Sequence, residues 1–234
     1  MKYISKSKVR NIGPNSNLLR AYKTQFTNLT SYQYEALIGH LLGDANIYTR
    51  NNGKTHGIKF EWGEKSKDYI FHVYDIFGDF ILKEPHLYSR LNKNGNLQKT
   101  WRMETYQDVI FNDIGSLFLL NNKKKIIRSN LIINHLTPIS LAYWYMDDGG
   151  RNYYKGKRSL TDHSLTLNTQ GFTVEEVKML IKELNLKYEF NTTLSFNKKK
   201  PTIYIPDHNY DLFFNLINPW IIDHFRYKLP KLNK

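Results

Sequence analysis

Two stretches of this chain look like one device built twice. Leu37-Ile38-Gly39-His40-Leu41-Leu42-Gly43-Asp44 and Leu141-Ala142-Tyr143-Trp144-Tyr145-Met146-Asp147-Asp148-Gly149-Gly150 are apolar helical runs that stop abruptly at an aspartate. Asp44 precedes Lys124 by 80 residues, and Asp148 precedes Lys228 by the same 80. The repeat offset is 104 residues, a normal size for a small domain, so the 234-residue chain reads as two fused modules, 1–125 and 126–234.

The segments around the repeats follow one order. Thr30 with Gln33 forms a capping box ahead of the first motif helix, and Thr137 with Pro138 opens the second. Ile58, Phe60 and Trp62 alternate with Lys59 and Glu61, the pattern of a half-buried strand. Residues 65–82 carry helical spacing, residues 86–103 a hairpin around Asn94-Gly95, and 105–120 another helix. The second half offers strands around 151–155, 160–168, 187–196 and 201–205, with helices from Thr173 and over 207–218. The fold class expected is α+β: two pseudo-symmetric αββαββα modules, each a four-stranded antiparallel sheet backed by helices, with the two motif helices at the module interface. The other face of each sheet is expected to be polar, basic and aromatic, which suits a nucleic-acid groove.

Charge points the same way. The chain carries 34 Lys and Arg against 21 Asp and Glu, a net charge of +13, which implies an anionic partner. A membrane surface would need a basic amphipathic helix or a lipidation motif, and neither is visible. If about 10 phosphates were neutralised, affinity would fall with salt at a log–log slope near −9. There is no cysteine, which excludes disulfides, zinc fingers and thiolate metal sites. The eight histidines lack metal-ligand spacing and read as surface or half-buried fillers. There is no phosphate-binding glycine loop and no nucleophile elbow. Lys2, Lys6, Lys8 and Arg10 without an acid read as a solvated basic tail, and abundant Asn, Lys, Ile and Tyr point to an AT-rich, organellar genome.

Taken alone, an apolar helix ending in Asp is a core helix with a polar cap. Two considerations weigh against that here. The helix dipole is negative at its C-terminus and disfavours a carboxylate there. Two such carboxylates at ~5 Å would also repel by ~3 kcal/mol at an effective dielectric of ~20. A hard divalent cation, Mg²⁺ by ligand type, removes that cost. Asp44 and Asp148 with Mg²⁺ beside two phosphates describe metal-assisted phosphodiester hydrolysis. Lys124 and Lys228 would add positive charge, although a Lys-Lys-Lys run by itself reads as a solvated face. Asp147 points about 100° from Asp148 on the helix. Glu61 and Asn168, on polar strand faces shortly after each acid, read as solvent-exposed positions, with orientation of metal-bound water as the alternative. Two equivalent acid-plus-lysine sets suit a target with two equivalent halves, and duplex DNA is such a target. Binding is expected from Tyr48, Arg50, Lys59, Tyr88, Arg90, Gln98 and Arg102 in the first half. In the second it is expected from Arg151, Tyr153, Lys157, Arg158, Lys198, Lys199 and Lys200.

The sequence resembles a known family. Leu37–Asp44 and Leu141–Gly149 are similar to the two signature helices of LAGLIDADG homing endonucleases, and the resemblance covers nearly the whole chain. Gly13-Pro14-Asn15-Ser16, Phe60-Glu61-Trp62, Leu167-Asn168-Thr169-Gln170 and Tyr227-Lys228-Leu229-Pro230 resemble the single-chain, two-motif enzymes of yeast mitochondrial group I introns. The resemblance implies paired signature helices on a pseudo-two-fold axis and two sheets forming a saddle over a long asymmetric site. It implies cleavage leaving short 3′ overhangs, a monomer and a mitochondrial location. Asp44 and Asp148, with the adjoining Ala45 and Gly149, form the implied metal set for Mg²⁺, with Mn²⁺ as a substitute. Lys124 and Lys228 match the family's active-site lysines. An intron RNA maturase, or a DNA-binding protein that does not cut, is the alternative on the same fold. Two departures stand out: Ala45 where the signature ends in Gly, and Tyr143 at a small-residue position, which is expected to hold the helices further apart there.

Overall fold

The computed structural model describes residues 3–13, 16–152 and 163–230. The first half runs α1 (Asn17–Lys23), α2 (Ser31–Leu42), β1 (Asn46–Tyr48), β2 (Gly57–Gly63), α3 (Lys67–Phe77), β3 (His86–Leu91), β4 (Leu97–Glu104) and α4 (Asn112–Phe118). A small hairpin, β5 (Leu119–Leu120) with β6 (Lys124–Lys125), and α5 (Leu131–His135) lead into the second half. That half runs α6 (Pro138–Asp148), β7 (Gly149–Arg151), β8 (Leu165–Leu167), α7 (Val174–Tyr188), β9 (Thr193–Asn197), β10 (Lys200–Ile205) and α8 (Tyr210–Ile217). The order αββαββα therefore occurs twice. Each repeat builds an antiparallel four-stranded sheet, in the order β1-β2-β4-β3 and then β7-β8-β10-β9.

By internal contacts the chain divides into two compact units: Met1–Gln33 with Asp44–Lys125, and Tyr34–Gly43 with Ile126–Lys234. Most of the first motif helix thus packs within the second unit, against α6.

In the first unit Ile58, Phe60 and Trp62 are buried behind β2, with Tyr69, Ile70, Val73 and Phe77 of α3 over them. The N-terminal segment corrects the expectation of a solvated tail. Val9 is fully buried in a cluster with Leu19 and Tyr22, flanked by Ile4 and Ile12. Lys6 Nζ donates to Tyr74 Oη at 2.7 Å and lies 4.3 Å from its ring centroid. Alternating lysines give the segment its basic look, but the apolar residues between them dock it. The β3–β4 hairpin forms as expected, but its apolar side chains stay open to solvent. Leu91 and Leu97, on its apolar face, are 70% and 61% exposed. Alternation assigns side chains to faces but does not show what covers a face. The helix expected over 105–120 is confined to Asn112–Phe118, with a 3-10 turn before it, because Thr105 and Asp108 are held extended by backbone bonds to Ile58 and His56.

In the second unit α7 acts as a template for the segment that joins the halves. A Thr173–Glu176 capping box opens it. Glu176 also accepts from Ile127 N at 3.0 Å. Two and three turns further on, buried Glu183 accepts from Asn130 N and Ile132 N at the start of α5 (2.6 and 2.8 Å), and Lys187 Nζ donates to Ile132 O and Ile133 O at its end (3.0 and 2.8 Å). These two side chains satisfy terminal backbone groups of a helix too short to hold itself. Since α7 continues to Tyr188, the strand expected over 187–196 is limited to Thr193–Asn197.

The close approach of α2 and α6 depends on Gly39. A methyl group there would lie 2.2 Å from Ser140 O and 2.7 Å from Tyr143 Cβ. Tyr143 therefore does not spread the helices, contrary to expectation. Its Cβ meets a glycine, and its ring tilts against His40, with centroids 4.7 Å apart. Thr137 Oγ1 caps α6 and donates to Glu35 Oε2 of α2 at 2.6 Å. Gly39→Ala is expected to lower stability by about 1–3 kcal/mol, because backbone must shift to admit the methyl group. Gly63→Ala, with nothing within 4 Å of the added carbon, serves as the control with an unchanged denaturation midpoint.

Candidate active site and nucleic-acid interface

The motif helices end differently. After α2, Gly43 N still donates to Gly39 O, and Asp44 comes next as an exposed residue before β1. The other helix, α6, runs through Asp148 itself, and Gly149 turns extended at φ −78° and ψ 151° to begin β7. Gly149 is constrained sterically: a methyl group there would lie 2.1 Å from the Tyr145 ring. The main-chain oxygen of Asp148 accepts from Asn168 N and Asn168 Nδ2, both at 2.9 Å, and Gln170 Nε2 donates to Asn168 Oδ1 at 3.0 Å. Asn168 is half-buried here. Its amide is engaged at both ends, and it holds the peptide of Asp148.

Lys228 lies in a 3-10 turn, Asp223–Lys228. Its Nζ donates to Met146 O at 2.6 Å and Asp147 O at 3.3 Å, which places a cation at the negative end of α6. Tyr145 Oη donates to Lys228 O at 2.8 Å. Burial pushes the Tyr145 hydroxyl well above the ordinary tyrosine range, so it remains a donor.

In the first half the two adjacent lysines of β6 differ in what they touch. Lys124 is exposed, whereas Lys125 Nζ donates to Ala45 O, the carbonyl next to Asp44, at 3.2 Å. Neighbours on a strand face opposite ways, so a one-residue difference decides which lysine reaches the Ala45 carbonyl. Equal 80-residue spacing selects Lys124 only if the turns before the two lysines match, and the β5–β6 turn, with Asn121 and Asn122 at positive φ, sets its own register. Of the expected metal set, Ala45 has only its main chain to offer a cation, and that oxygen is engaged by Lys125.

The first sheet gathers its expected binding residues on one face. Tyr48, Arg50, Lys59, Tyr88 and Arg102 line a recess of about 600 Å³, together with Asn46, Lys83, His86 and Glu104, which the sequence reading missed. Asn46, His86 and Glu104 each stand two residues from an identified one, the signal that strand alternation offered. Arg90 and Gln98 pair with each other further out, Nε to Oε1 at 3.3 Å. In the second half Arg151 lies on β7, and Lys198 and Lys199 form a two-residue hairpin tip at φ +50° and +67°, with Lys200 opening β10. Tyr153, Lys157 and Arg158 lie outside the described residues.

Glu61 stands at the centre of the first sheet's polar face. It accepts from Arg102 Nη2 at 2.7 Å and Thr100 Oγ1 at 3.0 Å, and it pairs with Lys59 Nζ at 3.1 Å. The Arg102 guanidinium stacks on Tyr88, 3.7 Å from the ring centroid. Burial alone would raise the Glu61 carboxyl, but the bonds from Arg102, Lys59 and Thr100 outweigh it and hold it below its ordinary value of 4.5. Glu104 plays a looser version of the same part, accepting from Tyr48 Oη at 3.3 Å. The Tyr48 hydroxyl is pushed up to about 12, chiefly by burial and then by Glu104.

Residues 34–213 match the family model for the LAGLIDADG DNA endonuclease family, and the chain belongs to that family. It is 45% identical over 226 residues to a probable intron-encoded endonuclease of Wickerhamomyces canadensis, covering 97% of this chain and 96% of the relative. The solved structure of the homing endonuclease I-WcaI bound to its DNA recognition sequence superposes with a TM-score of 0.90 at 44% identity, over 99% of this chain and all of that one. A cytochrome b mRNA maturase bI2 of Debaryomyces hansenii is 29% identical over 83% of this chain and 72% of its own length.

The depressed Glu61 value has a consequence for stability. A group whose folded value lies below its unfolded one contributes stability fully above the unfolded value and loses it as pH falls through the folded one. Acid unfolding followed at a series of pH values should therefore show a loss below about pH 4.5 that is smaller in Glu61→Gln than in the wild-type chain.

Proposed function

We propose that this chain is a site-specific double-strand DNA endonuclease that serves intron homing and acts as a monomer, with one acid from each repeat. The observation that carries the reading is the twofold occurrence of a tightly packed helix ending in an aspartate with a lysine directed at the adjoining main chain. Superposition on a homing endonuclease bound to its DNA supports it. A mitochondrial, organelle-encoded origin fits the residue usage and the yeast relatives.

The donor set fits Mg²⁺. Asp44 and Asp148 are hard oxygen donors, and no cluster of three or more His, Asp or Glu side chains occurs among the described residues. A cation held by so few protein ligands keeps coordination free for water and phosphate, as Mg²⁺ does. Asp44 and Asp148 would hold it, and when bound it supplies activation of water and stabilisation of charge on the phosphate. Lys228 and Lys125 bond to main-chain carbonyls within two residues of the acids, and their ammonium groups would stabilise developing negative charge. Lys125 takes the place that equal spacing gave to Lys124. The recess on the first sheet and the lysine-tipped hairpin of the second are the surfaces for backbone and base-edge contacts.

A cleavage screen tests this: purified protein with Mg²⁺ against a library of intron-insertion-site duplexes, with the cut ends sequenced. A discrete site cut on both strands, lost on chelation, is expected, and no cleavage of any duplex refutes the reading. Asp44→Asn and Asp148→Asn are each expected to abolish double-strand cleavage while retaining binding in a gel shift with Ca²⁺. Lys125→Met is expected to lower the cleavage rate about a hundredfold. Lys124→Met should act only through phosphate affinity, with a shallower salt dependence. The maturase relative favours one further reading, RNA binding on the same basic surfaces. Splicing assistance that survives Asp148→Asn would identify it.

A further inference from the structure

Asp147 directly precedes Asp148, yet its carboxylate is turned away and wholly buried, 3.0 Å from His40 Nδ1, itself buried on α2. His40 stands four residues before Asp44, one helical turn away along the chain. Gly43 lies flat against the same carboxylate: a methyl group there would be 2.5 Å from Asp147 Cβ and 2.8 Å from Oδ2. At its main chain Asp147 accepts from Lys228 Nζ. The final turns of both motif helices thus meet at one buried ionisable pair, each a step from a candidate metal acid. Such a pair is a poor choice for stability alone, since apolar residues of like volume commonly serve as well or better. The best-attested use of buried polar pairs is to fix register. Leu37, Ile38, Leu41 and Leu42 around His40 show what an ordinary core helix would carry.

We infer that His40 and Asp147 form a positioning pair. It locks the last turn of α2 to the last turn of α6 and so fixes the direction in which Asp44 and Asp148 leave their helices. This rests on the metal-assisted cleavage proposed above. The pair contacts no reacting atom and acts through the two acids, so its loss should be felt in the chemical step and not in DNA affinity. Misplacement of a reacting group by ~1 Å costs on the order of a hundredfold in rate.

The test uses the full chain and the duplex recovered by the cleavage screen. Strand-resolved single-turnover rates are measured in Mg²⁺, and Kd in Ca²⁺. The double variant His40→Leu with Asp147→Asn removes the imidazole–carboxylate contact and nearly keeps the volume. It should bind within about twofold of wild type and cut at least about tenfold more slowly. His40→Asn, whose amide can stand where Nδ1 does, should recover most of the rate. Wild-type rates in the double variant, or a loss that follows Kd alone, overturn the inference. If the double variant does not fold, His40→Gln, whose amide stands nearer Nε2, is compared with His40→Asn, and equal rates overturn it. Failure of the wild-type chain to cut refutes the endonuclease reading itself and takes the inference with it.

Discussion

A methyl group at Gly39 would overlap the Ser140 carbonyl oxygen, and this missing side chain sets how near α2 and α6 can lie. The contact has two consequences. It brings the backbones close enough for the Tyr143 ring to tilt against His40 and for Asp147 to lie against Gly43. The apolar parts of both helices are consumed in this packing, so polar groups emerge only at their ends. Asp44 and Asp148 follow runs that are buried from Ala36 to Leu42 and from Ser140 to Met146.

The binding surface obeys a second constraint, set by charge. A chain of net charge +13 must keep its cations apart or neutralise some locally. On the first sheet Glu61 and Glu104 do the latter. Glu61 draws in Lys59 and Arg102, and Tyr88 carries the guanidinium on its ring face. Side chains tied in this way lose less freedom when a ligand arrives than free lysines would. The second sheet presents Lys198 and Lys199 at a turn whose backbone glycine would adopt more easily, so two lysines are held in the left-handed region at the tip of a ribbon.

Much of this is legible in the sequence because it depends on periodicity. The doubled αββαββα order, the alternation along β2 and the caps at Thr30, Thr137 and Thr173 are local patterns, and local patterns read directly. The features that escape such reading depend on partners distant in the chain. Nothing near Lys125 tells it from Lys124, since the choice rests on which way a two-residue strand faces. Asn168 and Glu61 stand at comparable places in the two repeats, yet one clasps a peptide and the other gathers cations, because their neighbours differ. His40 reads as filler for want of a ligand spacing, and its partner lies 107 residues away. Val9 reads as part of a tail because charge is easier to see in sequence than a docking surface.

The bridge between the repeats belongs, by its bonds, to the second of them. Glu176, Glu183 and Lys187 of α7 hold residues 127–133, while the first motif helix packs with the second unit. A chimera that borrowed its front half from a cousin would import a foreign α2 into a seat cut for Gly39 and His40. Swaps should succeed when those two positions travel together with residues 140, 143 and 147, wherever the splice is made.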